Sequence, residues 1–477
     1  MRTFFFGISI LLCMGLSILS ARGQSAEVPP APHYAEGVDV VAEGEEPAEP
    51  ELTDAQYAVI WSAIRRNVAG MEAKGVLPVN GQEEPRLAWP LLPAQGESVT
   101  DFHYAVIANY VDHDSAFPSR VLDYACGVDT YDTSSGYNHK GTDILLAPFQ
   151  WNKMDNDEVA VQAAAPGVIV YKQDGQYDRS CGFTGQPWNA VYIRHGDGST
   201  AWYGHLKSGS VTAKGVGESV AVGERLGLVG SSGNSSTPHL HFELYDRDGK
   251  LVDPFAGACN ATTANSWWIE QPAYQEAGVN KLTTGDAPLE TPACPAPGNS
   301  HAKTIFTPGE QVYFTAYYRH FAPGMTATYR IVRPDGSTFR EWSYTRQGSH
   351  LLTAWIYRYY TLEADTPVGQ WFFVVDFAGS TYAKKFAVVS EHPTPTPTYS
   401  ATSTPTATAT PTGTPTPTAT PSPSPTQSPS PTAKPALPST AAPTGPPPTP
   451  TATETPRPTP RPAEARNSLF LPLIGQP

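Results

Sequence analysis

The chain has 477 residues, a net charge of −14 and charged side chains at 16% of its positions. This length allows two or three domains. Because acidic residues outnumber basic ones, no basic face is expected, and a nucleic-acid-binding protein is excluded as the main interpretation. It also argues against simple electrostatic attraction to anionic cell envelopes as the means of targeting.

Residues 1–23 have the form of a secretory signal peptide. A basic start at Met1-Arg2 precedes an apolar run over residues 4–19, and small polar residues suitable for cleavage follow at 20–24. The run is short for a membrane span and no second one follows, so no integral membrane domain is expected. A retained N-terminal anchor is the alternative. We therefore expect a secreted or cell-surface protein.

Residues 24–51 are rich in Pro, Glu and Ala and are predicted to be disordered. Residues 52–85 are predicted to form a helical segment, because Thr53 and Gln56 have the spacing of a capping box. An apolar stripe then continues toward Gly75 through Tyr57, Ile60, Trp61, Ile64, Val68 and Met71. Two interpretations stay open: the helix packs against the following domain, or it covers that domain as a propeptide would.

The stretch Thr237-Pro-His-Leu-His241 offers two imidazoles with the spacing of a shared site. Residues two apart on a strand point to the same face, so His239 and His241 would enter one cleft. The intervening Leu240 suits a strand whose other face is buried. The alternative is an ordinary pair of exposed strand histidines.

The stretch Asn138-His-Lys-Gly-Thr-Asp143 adds a third imidazole and a carboxylate. Gly141 and the turn-rich residues 132–136 favour a loop, so His139 and Asp143 would precede a strand that starts at Ile144. No thiolate accompanies these ligands, which disfavours a closed structural zinc site. Three protein ligands leave the fourth position of a zinc ion open for water, as in hydrolytic sites. A solvated loop is the alternative.

A further histidine ends a predicted hairpin. Residues 190–195 and 200–205 flank the turn Asp197-Gly198, and His205 closes the second strand. A glycine-dense loop over residues 227–234 then leads into the His-x-His strand. These features place His205 in the same region of the chain as the candidate ligands.

The motifs His139-x-x-x-Asp143, Tyr203-Gly-His205-Leu206 and the run from Gly230 to Glu243 resemble the signature of lysostaphin-type (LytM-like) zinc metalloendopeptidases, peptidase family M23, which cut bacterial cell-wall peptides. The resemblance covers roughly residues 95–257.

This resemblance implies one Zn²⁺ per chain, bound by His139, Asp143 and His241. It implies that His205 and His239 are catalytic histidines that do not bind the metal. It also implies an antiparallel β-sheet peptidase domain of the duplicated-hybrid-motif kind, assigned here to residues 86–258, with the cleft lying across the sheet.

Metal chemistry and resemblance together predict an exported zinc metalloendopeptidase that hydrolyses peptide cross-links of peptidoglycan with zinc-activated water. His239 is interpreted as the general base and His205 as an oxyanion stabiliser or proton shuttle, although spacing does not decide between the two. The alternatives are a catalytically silent protein that binds the wall or regulates another hydrolase, and a zinc peptidase that acts on exported proteins. The sequence does not identify the bond that is cut, and it carries no signal for an oligomeric state.

Four cysteines remain once Cys13 leaves with the signal peptide. An even number in an exported chain predicts disulfides, and three pairings are open. The sequence hypothesis joins Cys126 to Cys181 and Cys259 to Cys294. A second zinc site on these cysteines is the alternative, but no Cys-x-x-Cys spacing favours it.

The remaining residues predict a connector, a second β domain and a tail. Residues 259–299 form the connector, and residues 300–392 carry at least six strands, which suit an immunoglobulin-like β-sandwich acting as a spacer or a binding module. Residues 393–464 hold 23 of the 49 prolines and are predicted to be a disordered Pro/Thr stalk. Residues 465–477 form a hydrophobic tail too short to span a bilayer, for which we expect cell-surface attachment. The predicted fold class is thus mainly β.

Overall fold

The structure is a computed structural model that describes residues 49–77, 83–94 and 101–392, together with the backbone of residues 34–37. The predicted signal peptide, stalk and hydrophobic tail lie outside these residues. Within the described part of the chain, neither helix has the length and apolar character needed to cross a membrane.

The described residues form two β domains and two helices. The first β domain and the segment before it contain, in chain order, β1 (Tyr34–Gly37), α1 (Asp54–Glu72), β2 (Leu91–Pro93), β3 (Ala105–Asn109), β4 (Thr142–Leu146), α2 (Gln150–Asp155), β5 (Val159–Gln162), β6 (Gly167–Gln173), β7 (Ala190–Arg194), β8 (Thr200–Gly204), β9 (Ser219–Val220), β10 (Arg225–Leu228), β11 (His239–Tyr245) and β12 (Leu251–Val252). The second β domain contains β13 (Gly278–Gly285), β14 (Ile305–Phe306), β15 (Gln311–Phe321), β16 (Thr326–Val332), β17 (Thr338–Thr345), β18 (Leu351–Thr361), β19 (Gly369–Phe377) and β20 (Ser380–Val388).

Helix α1 begins as the sequence predicts. The Thr53 side chain accepts a hydrogen bond from the Gln56 backbone N–H at 3.3 Å, and Gln56 Oε1 accepts one from the Thr53 backbone N–H at 2.8 Å. This capping box satisfies two of the donors that a helix start leaves unpaired. The predicted apolar stripe faces the protein, with Tyr57, Ile60, Ile64 and Met71 buried. The helix starts where the capping box predicts, but it ends at Glu72, well before the end of the helical segment predicted over residues 52–85.

The first β domain is built on an eight-stranded antiparallel sheet with strand order β3-β4-β11-β8-β7-β6-β9, to which β12 adds by pairing with β11. Side chains alternate between its faces. One face shares a hydrophobic core with the three-stranded sheet β10-β5-β2, and its members include Ile169, Ile193, Tyr203, Leu240, Phe242 and Leu244. The other face packs against α1 through Val168, Val170, Tyr192, Trp202 and Tyr245.

The second β domain consists of two sheets around one core. Their strand orders are β1-β18-β15-β13 and β14-β20-β19-β16-β17. Among the pairings of named strands in the described residues, β14 with β20 is parallel and the others are antiparallel. Aromatic side chains such as Phe314, Trp371 and Phe373 fill the core. The prediction of a mainly β chain with antiparallel sheets is confirmed.

Two predicted boundaries differ in the structure. The connector predicted over residues 259–299 contributes β13 to the second β domain and Trp267 and Trp268 to the core of the first. The disorder predicted for residues 24–51 does not extend to Glu51, which is 3% exposed. In both cases a polar or turn-rich stretch is ordered by contacts with residues far away in the chain.

The predicted disulfide pairing is wrong. The structure joins Cys126 to Cys259 and Cys181 to Cys294, across sequence separations of 133 and 113 residues. The hypothesis favoured cysteines near one another in sequence, whereas the fold brings distant loops together. The Cys259 N–H, for example, donates to the Tyr124 carbonyl at 3.0 Å and so aligns its loop with that of Cys126.

We expect the paired substitution Cys181→Ser and Cys294→Ser to lower the free energy of unfolding by about 2–5 kcal/mol, because the bond closes a long loop and restricts the unfolded chain. Denaturant titration of the oxidised protein measures this loss. Non-reducing peptide mapping should recover Cys126 linked to Cys259, and a Cys126–Cys181 peptide would contradict the observed pairing.

Candidate metal centre

The register of three neighbouring strands brings the predicted site residues together. His241 on β11 lies opposite Asp143 on β4 and opposite Gly204 at the end of β8. His205 follows Gly204 directly, and His239 lies two residues before His241 on the same strand. Side chains two apart share a face, so both histidines of β11 lie on the side of the sheet that α1 covers.

His139 is held in the loop before β4. Its Nδ1 lies 2.7 Å from the Tyr110 carbonyl oxygen, to which it can donate, and its ring stacks on that of Tyr131 at a centroid distance of 4.6 Å. Gly141, two residues later, is required by packing, since a Cβ there would lie 2.6 Å from two atoms of the His241 ring. The loop can thus approach β11 closely enough for His139 to reach His241.

The donor atoms of the three predicted ligands lie at similar distances from one another. His139 Nε2 is 3.2 Å from Asp143 Oδ2 and 3.3 Å from His241 Nδ1, and His241 Nδ1 is 2.8 Å from Asp143 Oδ1. A tetrahedral zinc ion with bonds of about 2.0–2.1 Å holds its ligand atoms about 3.3 Å apart. Two of the distances match that spacing, whereas the third is shorter and involves the other oxygen of Asp143, so the three side chains are close enough together to share an ion.

A carboxylate that the sequence analysis did not identify completes the cluster. Glu51 Oε2 lies 2.5 Å from His241 Nδ1, and Glu51 Oε1 lies 3.7 Å from His139 Nε2. Although Oε2 is buried and lies close to the His241 imidazole, it forms no hydrogen bond among the described residues. An unpaired buried carboxylate oxygen is costly unless a cation balances it. Glu51, His139, Asp143 and His241 together could hold a metal ion.

His241 is oriented by a second carboxylate. Its Nε2, which points away from the cluster, lies 2.9 Å from Glu243 Oε1. Glu243 also accepts hydrogen bonds from Tyr57 of α1 at 2.6 Å and from Tyr245 at 2.5 Å. Such outer carboxylates fix the tautomer and the ring orientation of histidine ligands. Nδ1 of His241 is therefore presented to the cluster as an acceptor.

The two other histidines face the same space. His205 Nδ1 lies 2.5 Å from the Ser232 carbonyl oxygen and His239 Nδ1 lies 2.8 Å from that of Thr237, so each ring can donate outward and present Nε2 inward. Their ring centroids are 4.4 Å apart. His205 Nε2 lies 3.7 Å from Glu51 Oε2 and has no hydrogen-bond partner among the described residues.

Burial and neighbouring charges shift the ionisation of the cluster in opposite directions. Burial, assisted by the neighbouring His205, lowers the pKa of His239 to about 4. For His139 burial also favours the neutral ring, but the charges of Asp143 and Glu51 and the hydrogen bonds to them together outweigh it and raise the pKa to about 10. For Asp143 burial and the charge of Glu51 favour protonation, yet the adjacent imidazoles prevail and hold its pKa below the usual range. His239 therefore stays neutral near pH 7 and can accept a proton.

All five residues singled out in the sequence, His139, Asp143, His205, His239 and His241, lie in this one buried cluster. Sequence reasoning missed two participants. Glu243 could have been found, because it lies two residues after His241 on the same strand and so shares its face. Glu51 had no comparable signal, since nothing in a Pro/Glu-rich stretch predicts contact with a strand so far along the chain.

Comparison with known proteins finds relatives of part of this chain. The profile of peptidase family M23 matches residues 137–254. The DD-carboxypeptidase/endopeptidase Mpg of Neisseria meningitidis is 43% identical over 98 residues, which are 20% of this chain and 20% of that protein. The murein hydrolase activator EnvC of Escherichia coli is 41% identical over 64 residues, which are 13% of this chain and 14% of that protein.

A solved structure gives a further match. The catalytic domain of the antimicrobial peptidase lysostaphin from Staphylococcus simulans is 27% identical, and the match covers 26% of this chain and 83% of that domain with a TM-score of 0.20. The segment that is similar to Mpg covers only 20% of the length of that protein. The profile match, in contrast, includes the five clustered residues. Residues 137–254 of this chain are thus a domain of peptidase family M23.

Proposed function

We propose that this chain is an exported zinc metalloendopeptidase that hydrolyses the peptide cross-links of bacterial peptidoglycan. One observation carries the proposal: two imidazoles and a carboxylate, with donor atoms 2.8–3.3 Å apart, converge in one buried cluster, with two further imidazoles beside them. The names of the relatives Mpg and EnvC, which refer to peptidase activity and to murein, support the choice of substrate.

In this proposal His139, Asp143 and His241 bind Zn²⁺, since imidazole and carboxylate donors suit that ion. Zinc held by these residues would supply a water that ionises near pH 7 and would polarise a carbonyl group. The protein holds the ligands in fixed orientations. Glu243 orients His241, and the Tyr110 carbonyl orients His139.

The two remaining histidines move protons. His239 is neutral and presents Nε2 to the cleft, so it takes a proton from the attacking water and returns it to the leaving amine. His205 follows the end of β8 and presents its Nε2 to the same cleft. There it stabilises the negative charge that develops on the carbonyl oxygen of the peptide bond being cut. Both rings are held by backbone carbonyls, so their positions do not depend on substrate.

A second candidate function is a catalytically silent regulator of another wall hydrolase. Similarity to the activator EnvC favours it, as does the carboxylate of Glu51 inside the cluster. The presence of all five site residues favours the peptidase. A third candidate, a zinc peptidase that cuts exported proteins, shares the site and differs in substrate. Digestion of purified peptidoglycan, with mass spectrometry of the new amino termini, separates the first candidate from the other two.

The rest of the chain is proposed to place this domain outside the membrane. Residues 1–23 direct export, and residues 465–477 attach the protein at the cell surface through the Pro/Thr-rich stalk. The second β domain is proposed to be an immunoglobulin-like spacer. It contacts the first domain through Phe149 and Tyr317, whose ring centroids are 5.2 Å apart.

His241→Ala should lower zinc affinity at least about 100-fold, because it removes a ligand and not merely a supporting residue. Elemental analysis after dialysis should find one zinc per wild-type chain and almost none in the variant, and the variant should release no peptides from peptidoglycan. His392→Ala is the control, since that histidine is 48% exposed and lies outside the cluster. Equal zinc in wild type and His241→Ala would remove the ligand assignment.

Glu243→Gln should weaken zinc binding by about 10- to 100-fold while the fold is retained, because the amide cannot provide the charge that orients His241. Competition with a metallochromic chelator measures the affinity. The matched control is Glu290→Gln, whose side chain is 66% exposed. An unchanged affinity in Glu243→Gln would mean that packing alone orients His241.

A further inference from the structure

A cavity of about 250 Å³ lies where the two β domains meet, and we call it the junction pocket. Three segments line it: the start of α2, the loop that leads into β11, and the loop between β13 and β14. The last of these belongs to the second β domain and lies outside residues 137–254, which the family profile matches. The lining residues include Phe149, Trp151, Thr237, Thr291, Ala296 and Gly298.

The junction pocket adjoins the proposed general base. Thr237 lines the pocket, and its carbonyl oxygen lies 2.8 Å from His239 Nδ1, which can donate to it. In the proposed mechanism His239 returns a proton to the leaving amine. The part of the substrate on the amine side of the cut bond would therefore pass nearest to this pocket.

The chemistry of the lining indicates what kind of group the pocket accepts. Phe149, Trp151 and Ala296 supply apolar surface. Thr237 and Thr291 add polar side chains, and none of the described residues that line the pocket has a charged one. A charged group that entered the pocket would lose its hydration without gaining a partner of opposite charge. The pocket thus suits a small, uncharged side chain of a peptide.

The loop between β13 and β14 is held firmly against the first β domain. Cys294 of this loop is bonded to Cys181. Asn152 Nδ2 donates to the Gly298 carbonyl and Asn152 Oδ1 accepts from the Gly298 N–H, both at 2.8 Å. A pocket wall that is already ordered binds more tightly, because the ligand does not have to order it.

Phe149 is positioned by contacts with the second β domain. Its φ of 56° lies in the left-handed region, which residues with a side chain rarely adopt. A Cβ on Gly298 would lie 2.7 Å from Phe149 Cδ1, so the backbone of the loop packs directly on this ring. The ring also contacts that of Tyr317, at a centroid distance of 5.2 Å. Such strained residues persist where the surrounding contacts fix them, and they concentrate at binding and catalytic sites.

We propose that the junction pocket is a substrate subsite, in which the loop between β13 and β14 contacts an uncharged residue on the amine side of the bond that is cut. The second β domain is then part of the substrate-binding cleft and not only a spacer. This inference rests on the proposed function, because it assumes that a peptide is cut at the metal centre.

The test uses the full chain as wild type, Ala296→Trp and Ala293→Trp. Both alanines are exposed in the same loop, but of the two only Ala296 lines the junction pocket, so Ala293→Trp is the matched control. The probe is cross-linked muropeptide dimers, released from purified peptidoglycan by an enzyme that cuts only the glycan. We expect Ala296→Trp to raise KM at least about tenfold with kcat unchanged, because the indole takes the space of one substrate side chain. Ala293→Trp should behave as wild type.

The outcomes separate this inference from the proposed function. An unchanged KM in Ala296→Trp would overturn the inference while cleavage itself stands. An equal rise of KM in both tryptophan variants would also overturn it, because the effect would not depend on the pocket. If the wild type cuts no dimer, the proposed function fails, and titration calorimetry with the same dimers decides whether the pocket binds them. Weaker binding by Ala296→Trp alone would retain the pocket as a binding site, whereas equal binding by all three proteins, or none, would overturn the inference.

The charge of the substrate gives a second test. Synthetic peptides copy the cleavage site that mass spectrometry identifies, with alanine or aspartate in turn at each position that follows the cut bond on its amine side. At one of these positions the wild type should cut the alanine peptide with a kcat/KM at least about tenfold higher, because a carboxylate would lose its hydration in an uncharged pocket. Ala296→Trp should lose this preference. Equal values for every pair of peptides would contradict an uncharged subsite.

Discussion

The antiparallel register between β4 and β11 is the constraint on which the site depends. It sets Asp143 directly opposite His241, while the pairing of β11 with β8 sets the end of β8 beside them. A shift of one residue would turn every side chain of β11 to the other face of the sheet. The histidines would then enter the hydrocarbon core, and Leu240 and Phe242 would face the cleft. Burial of those apolar side chains therefore fixes the geometry of the polar ones.

The two faces of the eight-stranded sheet are stabilised in different ways. The core face is almost entirely aliphatic and aromatic, and it needs no polar partners. The face under α1 mixes large aromatic rings with buried carboxylates, which accept hydrogen bonds from tyrosines or lie beside imidazoles. Buried ionised groups are tolerated only when they are paired in this way. The aromatic layer of Tyr57, Tyr131 and Tyr245 supplies both the shielding and the hydroxyl donors.

Structural features that depend only on residues close together in the chain could be predicted from local patterns in the sequence. The capping box of α1, the hairpin of β7 and β8 and the shared face of His239 and His241 all follow from spacings of a few residues. Contacts between distant segments could not be predicted in the same way. The disulfide partners depend on how loops return across the sheet, β13 depends on its pairing with β15, and Glu51 depends on where α1 docks. No spacing within one segment encodes these contacts.

The bond between Cys181 and Cys294 has a consequence for the cleft itself. Arg179 and Gly182, on either side of Cys181, form bridges with Ser231 and Ser235 in the loop that leads to His239. Oxidation of these thiols thus links one wall of the cleft to the loop between β13 and β14 of the second β domain. In a reducing compartment this bond would not form, so the loops on either side of it would be held together covalently only in an oxidising environment.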